Sequence, residues 1–414
     1  MKKLVIAALT FVAVVCFSSC QEEVLGIDTN PYKSLELSTK SSEFIRQGND
    51  FALQFIDKVN SSATGNYVVS PLSLQFVLGM ILDGSQGQTA DEICEVLGFG
   101  AGDVPAVNEY CKSLLDQLPS LDKKTTLKIA NAVVVNKQYN LLADYKKTVT
   151  NYYDAYVESI SFAGGNAVNK INSWCSRNTA GLIPKIVDNL PDDTIACLLN
   201  ALYFKSKWQD PFSKSSTSPE VFTNEFGVVS HINTMKKEKR YPYGWNDIFQ
   251  AVRIPYGNGA FSFVVLLPLE GYKVSDVSEW LRNSGADGWN SFIRTMQSAQ
   301  VDLWLPRFEN EYGIDLVKLL ESMGIKTAFN PTQADFSLMT DTGAYVSRIL
   351  QKAVIKVDEE GSEAAAVTIG TIAPTSAGPD PDGNVVFHAD HPFLYLITES
   401  SSGAVLFAGR FGGE

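Results

Sequence analysis

The 414 residues include only three histidines, His231, His388 and His391, so a histidine-dependent nucleophilic triad has few bases to draw on. No Gly-x-Ser-x-Gly nucleophile elbow, His-Glu-x-x-His zinc-peptidase motif, Walker phosphate loop or dinucleotide Gly-x-Gly-x-x-Gly occurs. The neighbouring carboxylates Asp192-Asp193 and Asp358-Glu359 would point apart in a strand, and both pairs read as solvated. Lys236-Lys237-Glu238-Lys239-Arg240 reads as a solvated turn, too short and interrupted to hold a polyanion. Cys94, Cys111, Cys175 and Cys197 are spaced too widely for a metal pair or a recognisable disulfide framework, and read as small buried apolar residues. With 34 Lys plus Arg against 46 Asp plus Glu, the net charge of -12 disfavours nucleic acid as a partner. No enzyme activity, metal or cofactor is therefore expected.

The informative stretch runs from Asp358 to Ser376. Its alanines favour helix and its acids favour solvent, while Val367, Thr368, Ile369 and Ile372 favour strand. Laid down as a strand, Ser362, Ala364, Ala366, Thr368, Gly370 and Ile372 share one face, and nearly all are small. Such a face could slide into a closed sheet. Glu363, the only charge between Gly361 and Pro374, has the opposite parity, and Pro374 is the first proline after Gly361, so nothing before it interrupts a ladder.

Glu359-Glu360-Gly361-Ser362-Glu363-Ala364-Ala365-Ala366 closely resembles the hinge of the serpin reactive-centre loop, and further landmarks of that family spread over almost the whole mature chain. Asn66 with Ser70-Pro71-x-Ser73 resembles the serpin shutter. Asn200 through Trp208, followed by Pro211-Phe212, resembles the segment carrying the tryptophan of the breach, where insertion begins. Phe387 through Phe393, with Gly409-Arg410, resembles the family's closing motif. The chain departs from the family at Gln351-Lys352-Ala353, where many members have His-Lys-Ala. Gln351 can still hydrogen-bond with Asn200 and Ser70, but it cannot become charged near neutral pH.

The resemblance implies an α+β serpin fold, with several helices packed on three β-sheets and an exposed reactive-centre loop over about 359–384. It implies a monomeric suicide inhibitor that forms a covalent acyl complex with target serine peptidases. Family spacing from the hinge glycine places the reactive bond between Thr375 and Ser376. The residues before that bond, Ile372-Ala373-Pro374-Thr375, suit elastase-like or subtilisin-like enzymes. A non-inhibitory binding protein of the same fold and an inhibitor of cysteine peptidases are the alternatives.

Periodicity supplies the elements that would hold this loop. Apolar residues from Phe44 to Val59 fall on one helical face, and helical patterns also cover 107–118, 143–153, 167–178 and 312–323. Thr89-Ala90-Asp91-Glu92 has capping-box spacing, with Gly98 placed to end its helix. Strand patterns cover 127–135, 195–204, 251–256, 261–267, 301–305, 345–357, 385–388, 393–398 and 405–411. Asn258-Gly259 signals a hairpin. Helices dominate the first half and strands the second, with no linker dividing residues 41–414, which argues for one α+β domain.

The N-terminus carries a separate signal. Lys2 and Lys3 precede an apolar run from Leu4 to Phe17, the pattern of an export signal over residues 1–19. Phe17-Ser18-Ser19-Cys20 resembles a bacterial lipobox, which implies lipidation of Cys20 and anchoring to the cell envelope. Glu22 and Glu23 resemble an acidic surface-export signal, pointing to the outer membrane and a surface-exposed protein. Residues 20–40 read as a tether.

Overall fold

The Ser38 hydroxyl accepts from the Ser41 backbone N–H and starts helix α1 (Thr39–Ser62), whose buried stripe includes Phe44, Phe51, Phe55, Ile56 and Val59. The structure, a computed structural model, describes residues 29–162, 165–191, 194–362 and 384–413. The expectations for residues 1–19, Cys20, Asp192-Asp193, Glu363, Ala364, Ala365, Ala366, Thr375 and Ser376 lie outside them.

Strand β1 (Tyr67–Val69) leads into α2 (Pro71–Gly84), α3 (Gly87–Leu97) and α4 (Val104–Gln117). Next come β2 (Thr125–Asn136), α5 (Ala143–Tyr153), β3 (Tyr156–Ile160), α6 (Asn166–Asn178) and β4 (Ala196–Lys207). The second half begins with β5 (Thr217–Thr223), β6 (Val229–Trp245), β7 (Phe249–Pro255), β8 (Phe261–Pro268) and α7 (Val274–Thr295). It closes with β9 (Gln297–Pro306), β10 (Phe308–Asp315), α8 (Val317–Met323), β11 (Arg348–Asp358), β12 (Gly361–Ser362), β13 (Val385–His388), β14 (Phe393–Glu399) and β15 (Val405–Phe411).

These strands form two hydrogen-bonded ladders. The six-stranded sheet has the order β10-β11-β12-β4-β2-β3. The larger ladder runs β1-β15-β14-β8-β7-β6-β9-β13, with β5 on β6. It is continuous because β6 pairs with β5 and β9 along most of its length and with β7 at Tyr243–Trp245. The main core includes α2, every described residue of which is buried except Asp83. A second cluster lies on the other face of β2 and β4, where Ile171, Trp174 and Cys175 of α6 cover Val134, Leu199 and Ala201.

Several local expectations are corrected. Residues 312–315 belong to β10, paired with β11, and only Val317–Met323 is helical. Alternation in β10 buries Phe308 and Asn310 and exposes Glu309 and Glu311, which a helical reading of the later part overlooks. The capping box at Thr89 does not form, because α3 already starts at Gly87. Thr89 instead accepts from the Asp335 N–H, and Glu92 accepts from Lys326 and Thr327. Gly98 does end α3 in the left-handed region, at φ 74°.

The basic run is not a turn. Lys236 through Arg240 lies within β6 opposite Gln300–Trp304 of β9. Lys237 and Lys239 both pair with Asp210, and Lys236 pairs with Glu220 while covering the Trp304 ring. The described part of the expected tether, residues 29–38, is hydrogen-bonded to the body. The four cysteines Cys94, Cys111, Cys175 and Cys197 are buried and unpaired.

Candidate functional site

The seam between β4 and β11 is closed along part of its length and wedged apart at one end. Arg348–Ala353 pairs in parallel with Cys197–Leu202. At the end toward Lys207 the two-residue strand β12 takes over, with Ser362 opposite Val357 and Ser206, and Gly361 opposite Asp358 and Lys207. Gly361 has φ 155°, and a β-carbon there would collide with the Ser206 carbonyl oxygen, so the position requires glycine. Ser362 is fully buried, its hydroxyl 2.7 Å from the Tyr256 hydroxyl.

Trp208 fixes the chain that leads into this wedge. Its indole N–H donates to the Asp358 carbonyl at 2.8 Å, and its backbone N–H donates to the Glu360 carbonyl at 2.9 Å. The ring stacks on Tyr256, with centroids 4.5 Å apart and planes 7° from parallel. Phe212 lies edge-on against Trp208 and donates its backbone N–H to the Glu359 carbonyl.

The expectation that Asp358 and Glu359 are solvated is overturned, since they are 7% and 4% exposed. Their burial is compensated by partners. Asp358 Oδ1 accepts from the N–H groups of Glu360 and Gly361, while Glu359 Oε1 accepts from Thr217 Oγ1 at 2.8 Å and lies 3.7 Å from Arg307. Burial pushes the Asp358 carboxyl upward against the pull of those two N–H groups. Glu360 remains within 4 Å of both Lys207 and Lys214.

Under the closed part of the seam runs a buried polar chain. The Gln351 side chain accepts from the Ser70 N–H at 3.0 Å and donates to the Ser70 carbonyl at 2.9 Å. Ser70 also caps α2, its oxygen accepting from the Ser73 N–H. The Ser73 hydroxyl donates to Asn200 Oδ1, and Asn200 Nδ2 donates to Asn131 Oδ1 at 2.9 Å. Asn131 then donates to the Tyr153 carbonyl at 3.0 Å. Gln351 therefore reaches Asn200 through Ser73, although the two residues face each other in the ladder. The chain links α2, β11, β4, β2 and α5 without using an ionised side chain.

Ser70, Ser73, Asn200, Gln351, Trp208 and residues 359–362 thus converge on one seam. Asn131, Tyr256, Thr217 and Arg307 complete it; Tyr256 and Arg307 lie in the family-like motifs Pro255-Tyr256 and Leu305-Pro306-Arg307-Phe308, which gave them no place at the seam, and Asn131 and Thr217 carried no motif. Asn131 could have been found from its place in β2 once β2 and β4 were aligned, because it lies opposite Asn200. His388 and His391 lie away from the seam. His388 stacks on Trp304 and approaches Asp302, and His391 bridges Asp390 and the Pro268 carbonyl.

The family profile described as Serpin (serine protease inhibitor) matches residues 46–412. Iripin-2 of Ixodes ricinus is 32% identical over 90% of this chain and 94% of its own length. The leukocyte elastase inhibitor of Equus caballus is 32% identical over 87% of this chain and 97% of its own length. Among solved structures, the thermophilic serpin tengpin in its native state superposes with a TM-score of 0.81 at 28% identity, covering 94% of this chain and 98% of that one. A thyroxine-binding globulin in complex with thyroxine gives a TM-score of 0.80 at 27% identity, covering 90% and 99%. The chain belongs to the serpin family.

Proposed function

We propose that this serpin is an exported suicide inhibitor of serine endopeptidases, lipid-anchored at Cys20, with its bait in the segment between Ser362 and Val385. The observation that carries the inhibitory reading is the β12 wedge: the loop's first residues already pair with both β11 and β4. The binding-protein reading draws on the thyroxine-carrying neighbour, but the small, uncharged parity from Ser362 to Ile372 is suited to entering a sheet.

The target's serine oxygen attacks the Thr375 carbonyl carbon. The bond to the Ser376 nitrogen breaks, and that amine leaves with a proton delivered by the peptidase's histidine. The freed strand then extends the ladder from Ser362 between β4 and β11. Deacylation requires the peptidase's histidine and oxyanion hole to stay in register, and a displacement of about 1 Å costs roughly a hundredfold in rate. The acyl-enzyme is therefore trapped before water resolves it.

Small residues before the bond favour an elastase-like or subtilisin-like pocket, a preference in keeping with the leukocyte elastase inhibitor among the relatives. No Lys or Arg between Gly361 and Phe393 offers a partner to a trypsin-like pocket, and no aromatic residue precedes Phe387 to fill a chymotrypsin-like one. The protein is mixed with elastase, subtilisin and trypsin, and the released C-terminal fragment is mapped by mass spectrometry. SDS-resistant complexes with elastase and a fragment beginning at Ser376 are expected. Rapid trapping of trypsin alone, or cleavage outside residues 371–378, would refute this assignment of the bait.

A further inference from the structure

Strand β15 carries a buried cation that is only half paired. Arg410 is 6% exposed, and its Nη2 donates to Glu225 Oε1. Its Nε is buried and has no acceptor among the described residues. Nε and Nη2 form one edge of the guanidinium, a fork spaced for two oxygens of a single carboxylate or phosphate. Glu225 fills one prong and leaves the other empty, so the partner this group lacks is an acceptor, not a donor.

The half-filled fork stands in the wall of a cavity of about 550 Å³, between the turn joining β5 to β6, the end of α1 and the start of α7. That volume lies in the range of small-ligand sites. Elsewhere in the wall the charges already have partners. Asp57 Oδ1 accepts from Ser278 Oγ at 2.9 Å, and Arg282 lies 3.2 Å from Asp57 Oδ2 and 3.0 Å from Glu279. Glu225 is exposed, and its turn does not depend on it: Asn224 Oδ1 accepts from the N–H groups of Phe226 and Val228, and Gly227 takes φ 76°. Next to Glu225, Phe226 lines the same cavity while 79% exposed.

We propose that this cavity binds a small aromatic carboxylate, which takes both prongs of the Arg410 fork in place of Glu225 and lays its ring against Phe226. Glu225 is then an internal competitor, a carboxylate of the chain standing where the ligand's carboxylate goes. It can swing into solvent when displaced, because it lies on the surface of a turn that it does not shape. The ring is favoured because a ligand body beside Phe226 buries apolar surface that the fold leaves wet. A single charge is favoured over a phosphate because Asp57 and Glu279 share the wall and repel a doubly charged anion more strongly. None of the lining residues belongs to the β4–β11 seam, so the site stands independently of the inhibitory reading.

The test titrates para-fluorophenylacetate into the protein and follows the probe by fluorine NMR. A saturable line shift is expected, and the matching amide, with the same ring and no charge, should show none. Glu225→Gln should tighten binding about tenfold, because it removes the competing charge. Phe226→Ala should weaken binding about fivefold through loss of the ring contact. Arg410→Lys, which keeps the charge and loses the fork, should weaken it tenfold or more, roughly. Glu225 and Phe226 lie on an exposed turn, so their variants decide the question even where Arg410→Lys does not fold. Inorganic phosphate, added as a competitor, should displace the probe only weakly. Equal binding of acid and amide, an affinity unchanged by Glu225→Gln, or no binding to either the wild type or Glu225→Gln would overturn the proposal. Phosphate that binds as tightly as the probe, or a probe affinity indifferent to Phe226→Ala, would overturn the aromatic class of ligand.

Discussion

Asp83, at the end of α2, is a half-buried carboxylate whose inner oxygen is poorly matched. Asn108 Nδ2 donates to its Oδ1 at 2.8 Å, while its Oδ2 is buried without a partner. Burial raises its pKa to about 6, and the hydrogen bond from Asn108 offsets only part of that rise. The C-terminal end of α2 also disfavours negative charge. The groups packed around it, Tyr145 and Tyr153 of α5 and Cys111 of α4, are themselves pushed upward by burial and stay neutral through this range. Because the folded pKa lies above the ordinary value of 3.8, the native state binds the proton more tightly than the unfolded chain. Stability from this group is complete below about pH 4 and is lost as pH rises through about 6. Asp83→Asn should therefore stabilise the protein at pH 7.5 by on the order of 2 kcal/mol and have little effect at pH 4, read from urea melts at the two pH values. An equal effect at both would remove the ionisation argument. The Ser70-Gln351-Ser73-Asn200 chain contributes no comparable dependence, since none of its side chains titrates in this range.

At the scale of elements, β12 is the part that mutagenesis can address most directly. An arginine at 362 would place a guanidinium between Tyr256 and Ser206, where burial without a partner costs several kcal/mol. Ser362→Arg should abolish trapping while leaving the loop cleavable, so that elastase turns the variant over as a substrate. Stoichiometric SDS-resistant complex formed by Ser362→Arg would contradict the role given to the wedge. The elements around β12 were legible where one face is buried and the other solvated. The α5 pattern and the strands at 385–388 and 405–411 have the bounds that their periodicity implies. In contrast, α2 is apolar on nearly all sides and carries no helical period to detect. The charged residues of β6 mimic a turn because their partners, Asp210 and Glu220, come from other parts of the chain. Of the seam, the hinge, the serines, Asn200, Gln351 and Trp208 were legible through their motifs. Thr217 carried no motif, and Tyr256 and Arg307 were noticed only as parts of family-like dipeptide and tetrapeptide motifs, since only the folded chain brings them to residues 359–362.

For the whole molecule, the inhibitory reading makes a claim about energy that no single contact can test. In the native form, β4 and β11 share a short parallel register from Arg348 to Ala353, extended at one end by two residues of loop. A cleaved loop entering this seam as a strand of about a dozen residues adds roughly ten net backbone hydrogen bonds. At about 1 kcal/mol each, these contribute on the order of 10 kcal/mol. Each kcal/mol raises the melting temperature of a domain of 150–250 residues by about 2–4 °C, and by somewhat less in a larger chain. Cleavage within residues 371–378 should therefore raise Tm by roughly 10–15 °C, measured by circular dichroism on intact and cleaved protein under the same conditions. A chain that uses the serpin fold for binding alone, with its loop held outside the sheet, should melt at the same temperature before and after cleavage. Ser362→Arg separates insertion from the mere loss of a surface loop: cut at the same bond, it should show a much smaller rise than the wild type. Equal large rises in both proteins would place the stabilisation outside the β4–β11 seam.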